Sequence, residues 1–276
     1  MQFRLSVLAL ALASCSPSAE PAPPVPSPTQ AAAGAATQLS PAEKAKIGRK
    51  IWQNESGGSI DGLTAWNDGE QFPSLGIGHF IWYPANYRGP FTESFPQFIR
   101  FAQQRSVVPP AVARQRHSPW TSQAHFRSNF RGREMSALRN WLSSTVTLQT
   151  DFIIAKSKGA LPKILASVPA SDRARVAENY RKVATTPNGQ YALIDYVNFK
   201  GEGTSPSERY SGKGWGLAQV LQDMRPTSAG QAAAREFAAA AKRTLGRRIQ
   251  NSPAGRGESR WRAGWFNRCD TYARPL

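Results

Sequence analysis

The sequence predicts a mainly α fold of the α+β kind, with a small β-hairpin set directly after the first helix. Three observations predict it. A helix start with a full set of capping signals stands at Ser40 to Glu43. A glycine-rich stretch with turn chemistry and alternating character follows over residues 56–84. Helical periodicity then recurs in most of the chain from residue 93 onward.

Ahead of this domain the chain reads as an address and a tether. Arg4 precedes LSVLALALA, nine apolar or small residues that suit a signal-peptide core and are too short to cross a bilayer as a helix. The run ends in LASC, Leu12 to Cys15, which resembles the lipobox of bacterial lipoproteins. That resemblance implies cleavage before Cys15 and lipid attachment to its thiol, with a plain secretory signal cut nearby as the alternative. Ser16 stands where an inner-membrane retention Asp would sit, so the resemblance implies an outer-membrane anchor facing the periplasm. Residues 1–15 are therefore assigned as signal peptide. Residues 16–38, rich in Pro, Ala and Ser, form an extended tether. With Cys15 committed to lipid, Cys269 has no partner for an intrachain disulfide.

The folded domain is placed at 39–276. In LSPAEKAKIGRKIWQNES, Ser40 is the N-cap, Pro41 takes the first helical position and Glu43 completes a capping box. Ile47, Ile51 and Glu55 step at i, i+4 and i+8, so the carboxylate continues an apolar stripe. Removal from water disfavours the charged form of a carboxylate, as a general acid working near neutrality requires. The competing reading is a last-turn residue facing solvent. The next stretch, SGGSIDGLTAWNDGEQFPSLGIGHFIWYP, carries Asn67-Asp68-Gly69 turn chemistry and reads as a small irregular hairpin.

A helix ending in a carboxylate, followed by such a hairpin, resembles the phage-type lysozymes of the lysozyme superfamily. In that family a Glu closing the first helix is followed by an Asp and by a Thr that opens a TIGIGH-like strand. Here SLGIGH occupies Ser74 to His79, and five residues separate Asp68 from Ser74, as in the family. Two departures stand out: the interval from Glu55 to Asp68 is longer than the family's, and Ser replaces Thr at 74. The Gly57-Gly58 loop can absorb the first, and Ser keeps the hydroxyl. The resemblance covers about thirty residues.

It implies a lysozyme-like fold and cleavage of β-1,4 glycosidic bonds in peptidoglycan. Glu55 would be the general acid, while Asp68 and the Ser74 hydroxyl hold the attacking water, with inversion as the implied outcome. Glu70 shares the strand parity of Asp68 and is its rival for the second carboxylate. A more distant similarity links Glu55-Ser56 and GWGLAQ, Gly214 to Gln219, to the soluble lytic transglycosylases, in which one glutamate performs both proton transfers. A non-catalytic wall-binding lipoprotein of the same fold is the reading from outside enzymology.

Further helical patterns fall near 93–105, 134–148, 149–166, 171–185, 189–199, 214–224, 228–250 and 257–268. Within ALIDYVNFKGEG, Asn198 and Glu202 are candidates to line the cleft, a structural role being the alternative. Trp66, Trp82 and Tyr83 flank the proposed site, and flat rings suit sugar C–H faces, although most large aromatics are core. RYSGKGWG, Arg209 to Gly216, reads as a polar loop able to close over a glycan. The task expected of His79 is hydrogen bonding that holds the hairpin, with proton transfer as the alternative.

Inventory removes other chemistries. His79, His117 and His125 are the only histidines and show no metal-ligand spacing. No nucleophile elbow, dinucleotide turn or phosphate-binding loop is present, so neither metal nor cofactor is expected. The 35 Lys and Arg against 18 Asp and Glu give a net charge of +17, which favours an anionic partner. The basic residues are dispersed and lack a zinc-finger pattern, which argues against nucleic acid. Carboxylate- and phosphate-bearing wall polymers are the expected partner, together with the membrane that holds the lipid anchor.

Overall fold

In the computed structural model, residues 38–89 and 91–276 are described. The signal peptide, Cys15 and all but the last residue of the tether lie outside them. Helix α1, Pro41–Ser56, starts with the capping box read from the sequence: Ser40 Oγ accepts from the Glu43 N–H at 3.3 Å, and the Ser40 N–H donates to Glu43 Oε2 at 2.7 Å. It ends at Gly57, whose φ of 64° is the left-handed conformation that glycine adopts without a Cβ penalty. Ile47 and Ile51 are fully buried, which fixes the orientation of α1 and hence the bearing of its last turn.

Three two-residue strands follow: β1, Thr64–Ala65; β2, Ser74–Leu75; and β3, Phe80–Ile81, paired antiparallel in that order. The expected hairpin is thus one strand larger. In register, Ser74 lies opposite Ala65 on one side and Ile81 on the other. The fold is mainly helical with a small antiparallel sheet, as the sequence predicts at that level.

The remaining helices are α2, Phe95–Gln103; α3, Gln123–Ser128; α4, Arg133–Ser144; α5, Val146–Lys158; α6, Ala160–Ser167; α7, Ala170–Val183; α8, Pro187–Lys200; α9, Leu217–Asp223; α10, Gln231–Asn251; and α11, Arg262–Tyr272. Helix α8 is the axis of the domain. Tyr191 through Val197 are all buried, and α1, α5, α7, α9, α10 and α11 pack around it. A helix apolar nearly all round belongs in a core.

Several boundaries differ from the sequence reading. The single helix expected over 149–166 is two, broken at Gly159. Pro162 lacks the N–H that a continuous helix would need there, so the chain restarts with proline in the first turn of α6. Helix α3 is too short to show periodicity; its signal is the Ser122 N-cap, which accepts from the His125 N–H at 3.1 Å. RYSGKGWG is an ordered hairpin rather than a free loop. Strands β4, Arg209–Tyr210, and β5, Lys213–Gly214, are joined through Ser211 and Gly212, both at positive φ. Gly216, the extended residue before helix α9, lies against the backbone of Gly203, where a Cβ would collide. Gln219 joins the two segments, accepting from the Gly216 N–H and donating to the Gly203 carbonyl.

The 3-10 turn Glu258–Trp261 leads into α11 and is anchored by a buried carboxylate. Burial alone would raise the Glu258 carboxyl pKa, but hydrogen bonds from both Arg248 Nε (2.8 Å) and Nη2 (2.7 Å), together with Tyr210, hold it below its ordinary 4.5. A carboxyl with a depressed folded-state pKa contributes stability that is present above the unfolded value and lost as pH falls through the folded one. Thermal melts are therefore expected to show Tm falling as pH drops below 4.5. Glu258→Gln should flatten that dependence, and an unchanged slope would reject the assignment.

Among the described residues no helix is long and apolar enough to cross a membrane. Cys269 is free and buried, and burial pushes its thiol pKa up to about 12.

Candidate active site

The last turn of α1 delivers Glu55 to the junction of the sheet with α8 and α11. Its side chain is 15% exposed, so it neither faces open solvent nor is sealed from it. Oε1 accepts from Asn198 Nδ2 of α8 at 3.0 Å and from Arg268 Nη2 of α11 at 2.8 Å. Oε2 faces His79 Nδ1 at 3.7 Å. One carboxylate oxygen is thus held by two donors, and the other is turned toward the sheet.

Arg268 is itself clamped. Its Nε and Nη2 both donate to Asp195 at 2.8 Å, and Asp195 is fully buried. The Asp195 carboxylate also accepts from the Tyr272 hydroxyl at 2.5 Å and from Asn54 Nδ2 at 3.3 Å. Burial opposes the charge on Arg268, but Asp195 and Glu55 outweigh it and keep its pKa above the ordinary value. Burial, reinforced by Asp195, drives the Tyr272 hydroxyl pKa well above its usual range. The result is a fixed guanidinium that positions the Glu55 carboxylate.

The sheet side is shaped by SLGIGH. Gly76 has a φ of 71°, and a Cβ there would collide with the Gln149 side chain. Gln149, fully buried on α5, accepts from the Ile77 N–H at 2.8 Å and donates to the Leu142 carbonyl at 2.6 Å. The hairpin is therefore pinned by Gln149, and the holding task expected of His79 falls elsewhere. His79 has a φ of 47°, and its buried Nε2 has no hydrogen-bond partner. The twist at His79 turns its ring toward Glu55.

The turn over Asn67 to Glu70 sorts the two rival carboxylates. The Glu70 N–H donates to the Asn67 carbonyl, and Gly69 at a φ of 83° reverses the chain. Asp68 sits at the tip with its side chain 90% exposed, bound to Arg127 and Gln123 of α3 at 3.0 Å each. Glu70 returns to the sheet. Burial raises its carboxyl pKa, partly offset by the Asn67 side chain, the His79 charge and the Ser74 hydroxyl. Ser74 is 3% exposed on the central strand. His79 thus lies within electrostatic reach of both Glu55 and Glu70, whereas Asp68 is spent on α3.

The aromatic expectations are corrected. Trp82 is fully buried against Phe95 and Trp120, and Tyr83 is 2% exposed. Trp66 is 7% exposed, with its indole N–H on the Glu70 carbonyl at 2.8 Å. All three support the sheet from within and cannot present a face to a sugar. Glu202 lies past the end of α8, and its carboxylate is taken by Lys163 at 2.8 Å, so Asn198 alone of that pair reaches Glu55.

Sequence reasoning missed Arg268, Asp195 and Gln149. A signal existed for Asp195, since a charge inside the apolar stripe of YALIDYVNF demands a buried partner. None identified that partner as Arg268, 213 positions from Glu55.

The arrangement offers a positioned carboxylate and, across His79, a second carboxylate with a hydroxyl beside it. Among the described residues no group of three or more His, Cys, Asp or Glu side chains is placed to hold a metal ion. No protein-family model, no curated protein and no solved structure matches this chain.

Proposed function

We propose that the chain is a peptidoglycan glycan-strand hydrolase of lysozyme-like fold, with Glu55 as general acid. The observation that carries the reading is Glu55 itself: a largely withdrawn carboxylate at the end of α1, held through Oε1 by Arg268 and Asn198 and facing the SLGIGH turn through Oε2. In the proposed reaction, protonated Glu55 gives its proton to the glycosidic oxygen as the bond from that oxygen to the anomeric carbon breaks. Water attacks that carbon and loses a proton to the second carboxylate. Glu70 suits that role better than Asp68, because it is half-buried with Ser74 and His79 close enough to act on its charge, whereas Asp68 is exposed.

The export address, the lipid at Cys15 and the outer-membrane placement belong to the same proposal, since a tethered domain meets its substrate close to the membrane. Lys46, Arg49 and Lys50 line an open depression on α1, adding local positive charge that suits an anionic wall.

The test is to incubate the purified chain with cell-wall sacculi and identify the released fragments by mass. Reducing ends support hydrolysis, and no release together with retained pelleting would leave a wall-binding protein. The second reading, a lytic transglycosylase working through Glu55 alone, draws on the outward position of Asp68. It predicts anhydro ends instead. Within the hydrolase reading, Glu70→Gln is expected to lower the release rate by about 10²-fold or more, whereas Asp68→Asn changes it by less than about threefold. The reverse ranking would restore Asp68.

A further inference from the structure

Trp261 closes the 3-10 turn before α11 and is 41% exposed, an unusual position for a large ring. Glu258, at the start of the same turn, is held by Arg248 and Tyr210. The ring lies 5.7 Å from Trp265, at an interplanar angle of 30°. Trp265 in turn stands 6.5 Å from Phe199, over whose ring the Arg268 guanidinium sits at 4.1 Å. Arg268 holds Glu55. A continuous strip of side chains therefore runs from the exposed tryptophan to the candidate acid.

Two cations border the strip. Arg260, exposed, lies 4.4 Å over the Trp261 ring, and Lys200 Nζ lies 3.7 Å over Trp265 and 4.0 Å over Phe199. Neither has an ion-pair partner among the described residues. Burial, with Arg248 and Arg268 nearby, depresses the Lys200 pKa despite the opposing pull of Glu258 and Glu55. A braced aromatic pair suits the C–H face of a sugar ring, and the exposed, unpaired Arg260 beside it suits an acid group on that sugar.

We infer that Trp261, Trp265 and Arg260 form a glycan subsite for a sugar that carries a carboxylate, of the kind a wall strand stripped of its stem peptides presents through its free lactyl groups. The inference deepens the hydrolase reading and rests on it for the identity of the polymer. The subsite would seat an acidic residue of the strand. A neutral chitin-type strand gains the ring contact only.

The test uses the full chain carrying Glu55→Gln, so that ligand is not consumed, and follows tryptophan fluorescence during titration. The probes are a neutral N-acetylglucosamine oligomer and an oligomer of the same length in which alternate sugars bear the lactyl carboxylate. The acidic oligomer is expected to bind about tenfold more tightly than the neutral one. Trp261→Ala should weaken both by about tenfold. Arg260→Gln, at an exposed position, should erode the preference for the acidic probe. Equal binding of the two probes, or undiminished binding by Trp261→Ala, would overturn the subsite. Fragment release by the chain with Glu55 intact, measured in parallel, separates the two ideas. Trp261-dependent binding without release keeps the subsite and rejects the hydrolase, while release without Trp261 dependence does the opposite.

Discussion

Glu55→Gln abolishes release of wall fragments from sacculi, with a loss of roughly 10³-fold set by the removal of general-acid catalysis. The amide still offers an oxygen to Asn198 and Arg268, the two groups that hold Oε1 in the native site. Far-ultraviolet circular dichroism and pelleting with sacculi are therefore expected to be preserved. The combination matters, because activity lost together with the fold would say nothing about chemistry. A Glu55→Gln chain that still releases fragments at the native rate would remove Glu55 from the mechanism. An Asn198→Ala chain provides a graded companion, since it takes one donor from Oε1 and leaves Arg268 in place.

Arg268→Met produces the largest loss of stability. The methionine fills comparable volume but leaves Asp195 fully buried without its guanidinium. Removing one partner of a buried ion pair costs about 3–5 kcal/mol. In a domain of this size that corresponds to a fall in Tm of roughly 10 °C. The Tyr272 hydroxyl and the Asn54 amide still donate to Asp195, but neither carries charge. Adding Asp195→Asn to Arg268→Met should recover part of the loss, because the stranded charge is then gone. Calorimetry on the two single variants and the double variant measures the coupling. A double variant as unstable as the sum of the singles would show that the two residues contribute independently.

The capping box at Ser40 and Glu43, the glycine end at Gly57 and the periodic helices are local features, and the sequence carries them openly. Glu55 was visible for the same reason, since its place on the Ile47–Ile51 stripe depends on helical geometry alone. What the sequence leaves open is any choice made by contacts distant along the chain. Asp68 and Glu70 share a parity and a turn, and only Gly69 with the α3 residues Gln123 and Arg127 sends one outward and the other inward. Trp82 and Tyr83, just past β3, could be read as core or cleft, because a strand of two residues barely signals the register that sets which side its neighbours face. The break at Gly159 had a local cause, Pro162, that helical periodicity passes over.

The tie between Glu55 and Arg268 spans 213 positions, nearly the whole described chain. Closing so long a separation draws on chain entropy that only late, cooperative packing returns. The candidate acid therefore has its setting only where α11 is docked on α8 and α10, and a chain without that helix would hold Asp195 and Glu55 without their cation. In such a molecule competence is a property of the finished fold: the chain can fold most of its helices and still have no positioned carboxylate to offer a substrate.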